Sequence, residues 1–343
     1  MPAKKAKKES DDVLHIGIDL GTSRSAVSAS NGKRQWIESY VGWPKDFVSR
    51  KLLGESILFG EDALKNRMSL NLVRPLEFGV IREGTERDEE AVRELIHHLI
   101  EMVEPKNGQK IYAAIGVPAE AMTVNKLAIR DAAREYADSL MLASEPFAVA
   151  YGQGSLNHAM IIDIGAGTVD FCVMHGTMPT EEDQRTLNSG GDYIDRQLHE
   201  RLMEKYPGAK LTELLARRFK EENGFVGENS SKVKVKFSVD GKLKEHDVTE
   251  ELRQSCERIL PPIVETMTDL ISRYEPEFRE QLARNVYLAG GGSQIKGIAN
   301  ALEDALKEYG TFRITIVEDP LFAGADGALA LAQEMPEEYW EEM

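Results

Sequence analysis

The sequence contains only two cysteines, Cys172 and Cys256, among its 343 residues. Two cysteines so far apart form neither a disulfide framework nor a cysteine-based metal site, which is typical of a reducing compartment. The seven histidines are scattered. The adjacent pair His97 and His98 would point to different faces of a helix, so a shared metal site is not expected there.

Long hydrophobic runs and an excess of basic residues are also missing. No apolar run approaches the roughly 20 residues of a transmembrane helix. Residues 1–12 are charged and have no apolar centre like that of a signal peptide, so we interpret them as a disordered basic leader. The net charge of −16 argues against nucleic acid as a main partner, because phosphate binding needs basic patches. These features predict a cytoplasmic protein that neither enters a membrane nor binds nucleic acid.

The chain is long enough to need more than one hydrophobic core, so two domains or two lobes are expected. The stretches "LHIGIDLGTSRSAVSASNG" and "AMIIDIGAGTVDFCVMHG" share one order, which is strand, aspartate, glycine-rich turn, strand. This duplication predicts an α/β fold of two similar lobes that face each other, each with a sheet and helices. The predicted boundaries are 13–157 for lobe I with an outer subdomain at about 36–83, 158–335 for lobe II with an outer subdomain at about 198–254, and 336–343 for an acidic tail.

Local patterns place further elements between the two copies and after them. Apolar positions recur at helical spacing in residues 88–103, and residues 123–138 are rich in alanine and charge, so both are predicted helices. Asp240-Gly241 is a hairpin signal between two strands. A strand at 286–289 leads into a third glycine-rich turn.

Both copies of the repeat carry the chemistry of a phosphate-binding turn. Glycine and small hydroxyl residues after a strand let backbone N–H groups approach an anion closely. Asp19 is too acidic to touch a phosphate, but its carboxylate suits a hydrated Mg²⁺ that lies against the phosphates, and Asp163 is its match in the second copy. The first turn consists of Gly21, Thr22 and Ser23, and the second of Gly165, Ala166, Gly167 and Thr168. Two such turns facing each other would hold one polyphosphate from both sides.

One glycine turn alone is weak evidence, because an ordinary hairpin accounts for such a turn about half the time. Two copies with the same aspartate offset, together with the "AGGGS" at 289–293, favour phosphate binding. The sequence has no Gly-x-x-x-x-Gly-Lys-Ser/Thr, which excludes a P-loop. Its "GGGS" does not open a βαβ unit near the N-terminus, as a Rossmann fingerprint would.

A series of motifs carries a family resemblance. They are "FGEDALKNR", "RPLEFGVI", "IGVPAEA", "SEPFAVAYG", "DIGAGTVDF", "GGDYID" and "LAGGGSQIKGI". Through them the chain resembles the MreB-like bacterial actins, within the superfamily of actin, Hsp70 and sugar kinases, from about Leu14 to Leu331. More narrowly, "VGWPKDF", "KLLG", "FVG" and "EDPLFAGADGALALAQEMPEEYW" resemble a magnetosome-associated branch. The resemblance implies an actin-like ATPase fold, in which duplicated ribonuclease H-like lobes surround a nucleotide cleft.

The resemblance also implies ATP or ADP and Mg²⁺ as ligands. Asp19 and Asp163 would hold the metal ion through water, and Asp163, Thr168 and Glu145 would be catalytic. Glu145 would position or activate the attacking water, a role that suits a carboxylate beside a metal-bound triphosphate, although the helix dipole alone also favours an acid there. Besides the two turns, the implied nucleotide contacts are Gly190, Gly191, Asp192, Lys220, Gly290, Gly291, Gly292 and Ser293.

Two positions depart from the family pattern. Ala166 interrupts the glycines that many bacterial actins have in the second turn, and we expect its methyl group to slow hydrolysis or alter the fit without abolishing phosphate binding. Arg217 stands one helical turn before Lys220, where many relatives have a glutamate. The second departure bears on the residues assigned to the adenosine side of the site, Lys220 among them.

The resemblance, rather than any motif, implies that the protein assembles with itself into filaments, with organelle-associated adaptor proteins as further partners. A filament needs a contact between opposite faces of successive subunits that does not close into a ring. The outer subdomains are expected to supply much of it, with Trp36, Trp43 and Phe47 as candidate anchors, although local core packing accounts for each such side chain about three times in four. ATP would favour a closed form that assembles, and hydrolysis would weaken the lattice.

Two other functions stay open at this point. They are a monomeric ATPase regulator or chaperone of the same fold, and a small-molecule kinase. The sequence shows no large appended domain for peptide binding and no room for the extra substrate lobes of most sugar kinases. A catalytic base beside an acceptor hydroxyl, which a kinase needs, is not evident. An ATP-hydrolysing filament protein is therefore the favoured prediction.

Overall fold

The structure, a computed structural model, describes residues 12–81, 86–228 and 231–342. The predicted basic leader lies outside the described residues, apart from its last residue. The strands are β1 (Val13–Leu20), β2 (Arg24–Ala29), β3 (Arg34–Glu38), β4 (Val41–Pro44), β5 (Leu58–Phe59), β6 (Leu70–Val73), β7 (Leu76–Glu77), β8 (Val80–Ile81), β9 (Lys110–Val117), β10 (Ser139–Ser144), β11 (Asn157–Ile164), β12 (Val169–His175), β13 (Gln184–Leu187), β14 (Lys234–Val239), β15 (Lys242–Asp247), β16 (Val286–Ala289), β17 (Ile314–Ile316) and β18 (Glu341–Glu342).

The helices connect the strands along the chain. They are α1 (Phe47–Leu53), α2 (Gly60–Lys65), α3 (Glu86–Met102), α4 (Thr123–Ala133), α5 (Glu145–Gly152), α6 (Gly191–Lys205), α7 (Glu213–Asn223), α8 (Thr249–Glu257), α9 (Leu260–Ser272), α10 (Pro276–Ala283), α11 (Ile298–Ala305) and α12 (Ala323–Glu334). Short 3₁₀ helices occupy Glu181–Asp183, Gly291–Gln294 and Glu337–Tyr339.

Two helices differ from their predictions for local reasons. The helix predicted at 123–138 ends at Ala133, because the chain turns into β10 where the Asp138 carboxylate accepts a hydrogen bond from the N–H of Ile111 (2.8 Å). Helix α1 was not predicted, although its first residues are capped by Asp46, whose carboxylate accepts from the N–H of Ser49. Such a cap is a readable start signal.

The two large sheets have the same central arrangement. The six-stranded sheet has the order β18-β10-β9-β1-β2-β3, and the five-stranded sheet has the order β13-β12-β11-β16-β17. In each, an antiparallel hairpin, β1–β2 or β11–β12, lies beside a parallel strand, β9 or β16. The predicted α/β fold with two similar sheets is confirmed, and the two hairpins are the repeated "Asp-turn" stretches of the sequence.

The central strands are apolar along their length because both faces of each sheet are covered. In β11, Met160, Ile162 and Ile164 join the core beneath the five-stranded sheet. The alternate residues Ala159 and Ile161 join a second core, which lies between the two sheets and includes residues of α5 and α12. This shared core connects the two halves of the molecule behind the cleft described below.

Helix α12 returns to the first sheet although the predicted boundaries place it in lobe II. Gly17 of β1 makes this approach close, because a Cβ there would lie 2.1 Å from the backbone nitrogen of Leu329. Gly327 does the same against α5, where a Cβ would lie 1.9 Å from the carbonyl oxygen of Ala148. Glycine is required at both contacts because any side chain would separate α12 from the first sheet at Gly17 and from α5 at Gly327.

The end of the chain also returns to the first sheet. Within the predicted acidic tail, Trp340 packs against Tyr112 with ring centroids 5.3 Å apart, and β18 adds an antiparallel edge strand to β10. Within the described residues, no helix is long and apolar enough to cross a membrane.

Candidate functional site

The two hairpin turns lie on opposite walls of one cleft of about 560 Å³. The walls approach closely, because a Cβ at Gly167 would lie only 2.6 Å from the hydroxyl oxygen of Thr22. The predicted site residues that line the cleft are Asp19, Gly21, Thr22, Ser23, Glu145, Asp163, Gly165, Ala166, Gly167, Thr168, Gly191, Asp192, Lys220, Gly290, Gly291 and Gly292. The structure therefore brings residues from distant parts of the sequence to one cavity, as the duplication predicted.

The first turn is held by the side chains around it. The carbonyl oxygen of Gly21 accepts a hydrogen bond from the Ser39 hydroxyl (2.6 Å). The buried Thr22 hydroxyl accepts one from the N–H of Gly79 (2.7 Å), which ties the turn to the loop between β7 and β8. The Thr22 hydroxyl is therefore engaged by the protein where the first turn approaches Gly167 of the second turn, rather than being presented freely to the cleft.

The second turn is held by backbone contacts with the start of α6. The N–H of Gly191 donates to the carbonyl of Gly165 (2.9 Å), and the N–H of Asp192 donates to the carbonyl of Ala166 (2.8 Å). Gly190 lies behind the turn, where a Cβ would come within 2.6 Å of the Gly165 carbonyl oxygen. Gly190 and Gly191 therefore support the second turn, and this explains why small residues precede α6.

Four carboxylates lie close to the two turns, three of them buried and the fourth, that of Asp19, half-buried. They belong to Asp19, Glu145, Asp163 and Asp170. Asp163 and Asp170 are direct partners across the β11–β12 ladder, and opposite residues of such a pair point to the same face. The Asp170 carboxylate accepts hydrogen bonds from the N–H of Ala119 (2.8 Å) and the hydroxyl of Thr186 (2.6 Å). Sequence reasoning missed Asp170, although its position after a four-residue turn places it opposite Asp163.

The carboxylates oppose one another's ionisation. Burial, with a further contribution from the charge of Asp170, raises the pKa of Asp19 to about 6. Burial first, and then neighbouring carboxylates, also raise the pKa values of Glu145 and Asp163 well above their usual range. Desolvation and like charges both favour the neutral form of an acid. A cation between these groups would relieve both effects.

These residues fit a hydrated divalent cation. Their oxygen donors are those that Mg²⁺ prefers, and Mg²⁺ usually keeps several waters. Among the described residues, no three His, Cys, Asp or Glu side chains are arranged to hold a metal ion directly, and contact through water stays a prediction. One oxygen of the buried Asp170 carboxylate, Oδ2, has no hydrogen-bond partner.

The third glycine turn lies directly beside Asp163. Gly290 has φ +71°, a left-handed conformation that favours glycine, and a Cβ there would lie 2.3 Å from Oδ1 of Asp163. The Ser293 hydroxyl donates to the carbonyl of Gly290 (2.7 Å) and is fully buried. Ser293 therefore shapes the turn from inside, while Gly291 and Gly292 face the cleft.

Two predicted nucleotide-contacting side chains already have partners in the protein. Lys220 forms an ion pair with Asp195 (2.7 Å) and donates to the carbonyl of Gly191 (2.8 Å). Asp192 forms ion pairs with Arg74 (2.8 Å) and Arg217 (2.7 Å). Both side chains still border the cleft, so their contact with a nucleotide stays a prediction.

The candidate filament anchors lie in different surroundings. Trp36 lines the cleft, with the guanidinium of Arg24 over its ring at 5.4 Å. Trp43 is partly buried under Arg87, whereas Phe47 is 77% exposed. Phe47 is thus the most exposed apolar surface of the three.

Several cleft residues were not identified from the sequence. Asp319, Pro320 and Leu321 border the cavity just before α12. Arg34 fixes this segment, because its guanidinium pairs with Asp319 (2.8 Å) and Asp326 (2.6 Å). The sequence separates these partners by 285 and 292 residues, so no local pattern indicates the contact.

Comparison with known proteins identifies the class to which this fold and cleft belong. The family model described as "MreB/Mbl protein" matches residues 13–339, and the chain belongs to this family of actin-like proteins. This confirms the bacterial actin resemblance and the predicted fold.

Particular relatives are more similar still. The chain is 41% identical over 327 residues to the actin-like protein MamK of Magnetospirillum gryphiswaldense, covering 95% of this chain and 91% of that protein. It is 39% identical over 330 residues to MamK of Paramagnetospirillum magneticum, covering 96% and 95%. These matches agree with the narrower branch that the sequence motifs indicated.

Solved structures give the same result. A MamK double helical filament matches with a TM-score of 0.92 and 39% identity, over 94% of this chain and 99% of that one. A non-polymerising MamK mutant bound to AMPPNP matches with a TM-score of 0.73 and 39% identity, over 95% and 100%. An ADP-bound MreB of Spiroplasma citri, at 20% identity and a TM-score of 0.79 over 94% and 97%, supports the fold alone.

Proposed function

We propose that the protein binds and hydrolyses ATP with Mg²⁺ and assembles with itself into filaments whose turnover depends on hydrolysis. The observation that carries the proposal is the cleft that two matching aspartate–glycine turns line from opposite sides, together with the carboxylates of Asp19, Glu145 and Asp163. The relatives support the same function, because their solved structures include a MamK filament and a MamK mutant bound to AMPPNP. Both share 39% identity with this chain over nearly its whole length.

The two turns would hold the phosphates from opposite sides. Gly21 and Ser23 lie on one wall of the cleft, and Gly165 and Gly167 lie on the other. Backbone N–H groups at such turns are suited to anions. Gly290 to Gly292 would accommodate the adenosine, because these residues leave that wall without side chains.

Asp19 and Asp163 would hold Mg²⁺ through its water shell. The ion, when bound, supplies positive charge against the phosphate oxygens and the developing charge of the reaction. Thr168 is buried and borders the cleft at the end of the second turn, where it would act beside these carboxylates. Burial of all these groups strengthens their electrostatic interactions with a charged ligand.

Glu145 would orient the attacking water and accept its proton. It is the first residue of α5, is only 8% exposed and faces the cleft between the turns. Burial first, and then the charge of Asp170, raise the pKa of Glu145, which disfavours its ionised form in the absence of a cation. Positive charge at the site lowers the pKa of a nearby acid. A bound cation would therefore favour the ionised form of Glu145, which can accept a proton from water.

Replacement of Glu145 by Gln tests the enzymatic part. Phosphate release from Mg-ATP should fall by about 100-fold or more, while ATP affinity, measured by calorimetry, should stay within about threefold, because the amide keeps the shape of the side chain. Glu308→Gln, which changes an exposed acid away from the cleft, is the matched control and should hydrolyse ATP like the wild type. Unchanged turnover in Glu145→Gln would remove Glu145 from the mechanism.

Sedimentation and negative-stain electron microscopy test the assembly part. Wild-type protein should pellet and form filaments with Mg-ATP but not without nucleotide. Glu145→Gln should form filaments that persist, because the lattice is no longer weakened by hydrolysis. Absence of polymer across salt and protein concentrations would leave a monomeric ATPase of the same fold as the better account.

The cellular role we propose follows the sequence resemblance to the magnetosome-associated branch. The filaments would lie in the cytoplasm along magnetosomes and contact adaptor proteins there. Fluorescence microscopy of the tagged protein in a magnetosome-forming cell tests this, and uniform diffuse signal in cells that form magnetosome chains would contradict it.

A further inference from the structure

An acidic side chain that borders the cleft lies between two arginines from different parts of the chain. The Asp192 carboxylate pairs with Arg74 (2.8 Å) and with Arg217 (2.7 Å). Arg74 follows β6 and belongs to the first half of the molecule, whereas Asp192 and Arg217 belong to α6 and α7 of the second half. The pair of Arg74 and Asp192 therefore crosses the cleft.

Each arginine also reaches the first phosphate turn. Nε of Arg74 donates to the carbonyl oxygen of Thr22 (2.8 Å), and Nη1 of Arg217 donates to the Ser23 hydroxyl (3.1 Å). One arginine thus contacts the turn's backbone and the other contacts its side chain. A planar guanidinium can make several such bonds at once in a fixed geometry.

The backbone of the same aspartate reaches the second phosphate turn. The N–H of Asp192 donates to the carbonyl of Ala166 (2.8 Å). A continuous path of hydrogen bonds therefore runs from the second turn through Asp192 and the two arginines to the first turn. In this path Asp192 connects the two sides, through its N–H to the second turn and through its carboxylate to the arginines.

The orientation of Arg217 is fixed on its other side. Its Nε donates to Oδ2 of the nearly fully buried Asp195 (3.1 Å), and the other oxygen of Asp195 pairs with Lys220 (2.7 Å). The Arg217 side chain itself is only 14% exposed. Charged hydrogen bonds that are shielded from water are stronger than those on the surface, so this arginine can determine the position of the turn it touches.

We propose that Asp192, Arg74 and Arg217 are positioning residues that set the distance between the two phosphate turns, a role that rests on the proposed ATP function. A triphosphate held from both sides needs the turns at one spacing, and misplacement by about 1 Å costs catalysis strongly. Opening of the cleft breaks the bonds of Arg74 to Asp192 and of Arg217 to Ser23, while the bond of Arg217 to Asp192 stays within one half. The two turns therefore reach the spacing that the triphosphate needs only when the cleft is closed.

The test is a double-mutant cycle read as Mg-ATP affinity by calorimetry. Arg74→Met and Arg217→Met should each weaken binding about tenfold, the loss expected for one charged hydrogen-bonding partner. Because both arginines bind the one Asp192 carboxylate, the loss in the double variant should differ from the sum of the two single losses. Arg217→Lys, which keeps the charge but loses the fork, should recover only part of the affinity.

Controls separate positioning from stability. Arg253→Met removes an arginine that pairs with Glu250 and Glu257 away from the cleft and should leave ATP affinity unchanged. If Arg217→Met does not fold, Arg74→Met and Asp192→Asn carry the test, with a thermal melt for each.

Two results lead to different conclusions. Additive losses, or wild-type affinity in folded single variants, overturn the positioning role while leaving the ATP function intact. A wild-type protein that shows no binding heat with Mg-ATP instead removes the proposed function itself.

Discussion

The two hairpins of the cleft share a backbone but differ in what they carry. Across the first sheet, Asp19, Ala26 and Trp36 are direct partners on β1, β2 and β3. Across the second, the corresponding partners are Asp163, Asp170 and Thr186. In each sheet these three partners form a row across the strands. In the first row the two residues after the aspartate are apolar. In the second row they are a second carboxylate, that of Asp170, and the Thr186 hydroxyl that donates a hydrogen bond to it.

The two turns also differ in the groups that hold them in place. The first turn is held by side chains, through the hydroxyls of Thr22 and Ser23. The second is held by backbone contacts, through the carbonyls of Gly165 and Ala166. Duplication therefore supplied one frame twice, and the two copies diverged, with connections to the rest of the protein on one wall and acidic groups on the other.

The largest expected effect on stability comes from a substitution that adds a side chain where the two turns approach each other. In Gly167→Ala the new Cβ would lie 2.6 Å from the Thr22 hydroxyl and 2.8 Å from the Cα of Phe78. Backbone on one side cannot move aside, so we expect a loss of about 2–3 kcal/mol in the free energy of unfolding. Urea denaturation without nucleotide measures it.

Gly291→Ala is the matched control for that substitution. Nothing lies within 4 Å of a Cβ at Gly291, so its effect on the free energy of unfolding should be within about 0.5 kcal/mol. Equal losses in the two variants would show that the turns do not approach each other as described.

A pH-dependent effect of intermediate size tests the carboxylates. The pKa of Asp19 rises from 3.8 to about 6 on folding, so the folded state holds this proton more tightly, and its contribution to stability is lost as pH rises through about 6. Asp19→Asn removes that loss. Without nucleotide or Mg²⁺, the free energy of unfolding of Asp19→Asn relative to wild type should therefore rise between pH 4 and 7, with a slope of at most about 1.4 kcal/mol for each pH increment of one.

The opposite substitution sharpens the comparison between the hairpins. Ala26→Asp places a second carboxylate beside Asp19, as Asp170 lies beside Asp163. The free energy of unfolding of Ala26→Asp relative to wild type should therefore fall between pH 4 and 7, and added Mg²⁺ should reduce that decrease. A difference from wild type that does not change with pH, in either variant, would contradict the account of buried, mutually repelling acids.

The smallest effect concerns the apolar end of the first row. Trp36→Phe weakens the contact with the Arg24 guanidinium, which is worth about 0.5–1 kcal/mol at an exposed site. Because Trp36 lines the cleft, its fluorescence should change when ATP binds, and that change should disappear in Trp36→Phe. Trp43→Phe changes a tryptophan outside the cleft and should keep the fluorescence change. If the change on ATP binding disappears in Trp43→Phe rather than in Trp36→Phe, Trp36 is not the residue that responds to the nucleotide.

Much of the cleft was predictable because its turns are local. Gly21 and Gly165 follow Asp19 and Asp163 at the same offset of two residues in the two copies, and the backbone conformation of each turn favours these residue types. Asp170 was predictable in principle from the length of the second turn. By contrast, the assignment of Asp192 and Lys220 to the nucleotide gave no sign of their ion pairs, because charged side chains at helical positions do not reveal which distant charge they meet.

The sequence by itself determined the duplicated strand–turn–strand units and the family, because small residues and an aspartate at fixed spacing restrict the backbone and its ligand within a few residues. Only the tertiary structure decided that Arg74 meets Asp192 across 118 residues of chain and that Asp19, Glu145 and Asp163 line one cleft. Ion pairs and raised pKa values depend on burial and on neighbours brought together by packing, and neither is encoded in any one stretch of the chain.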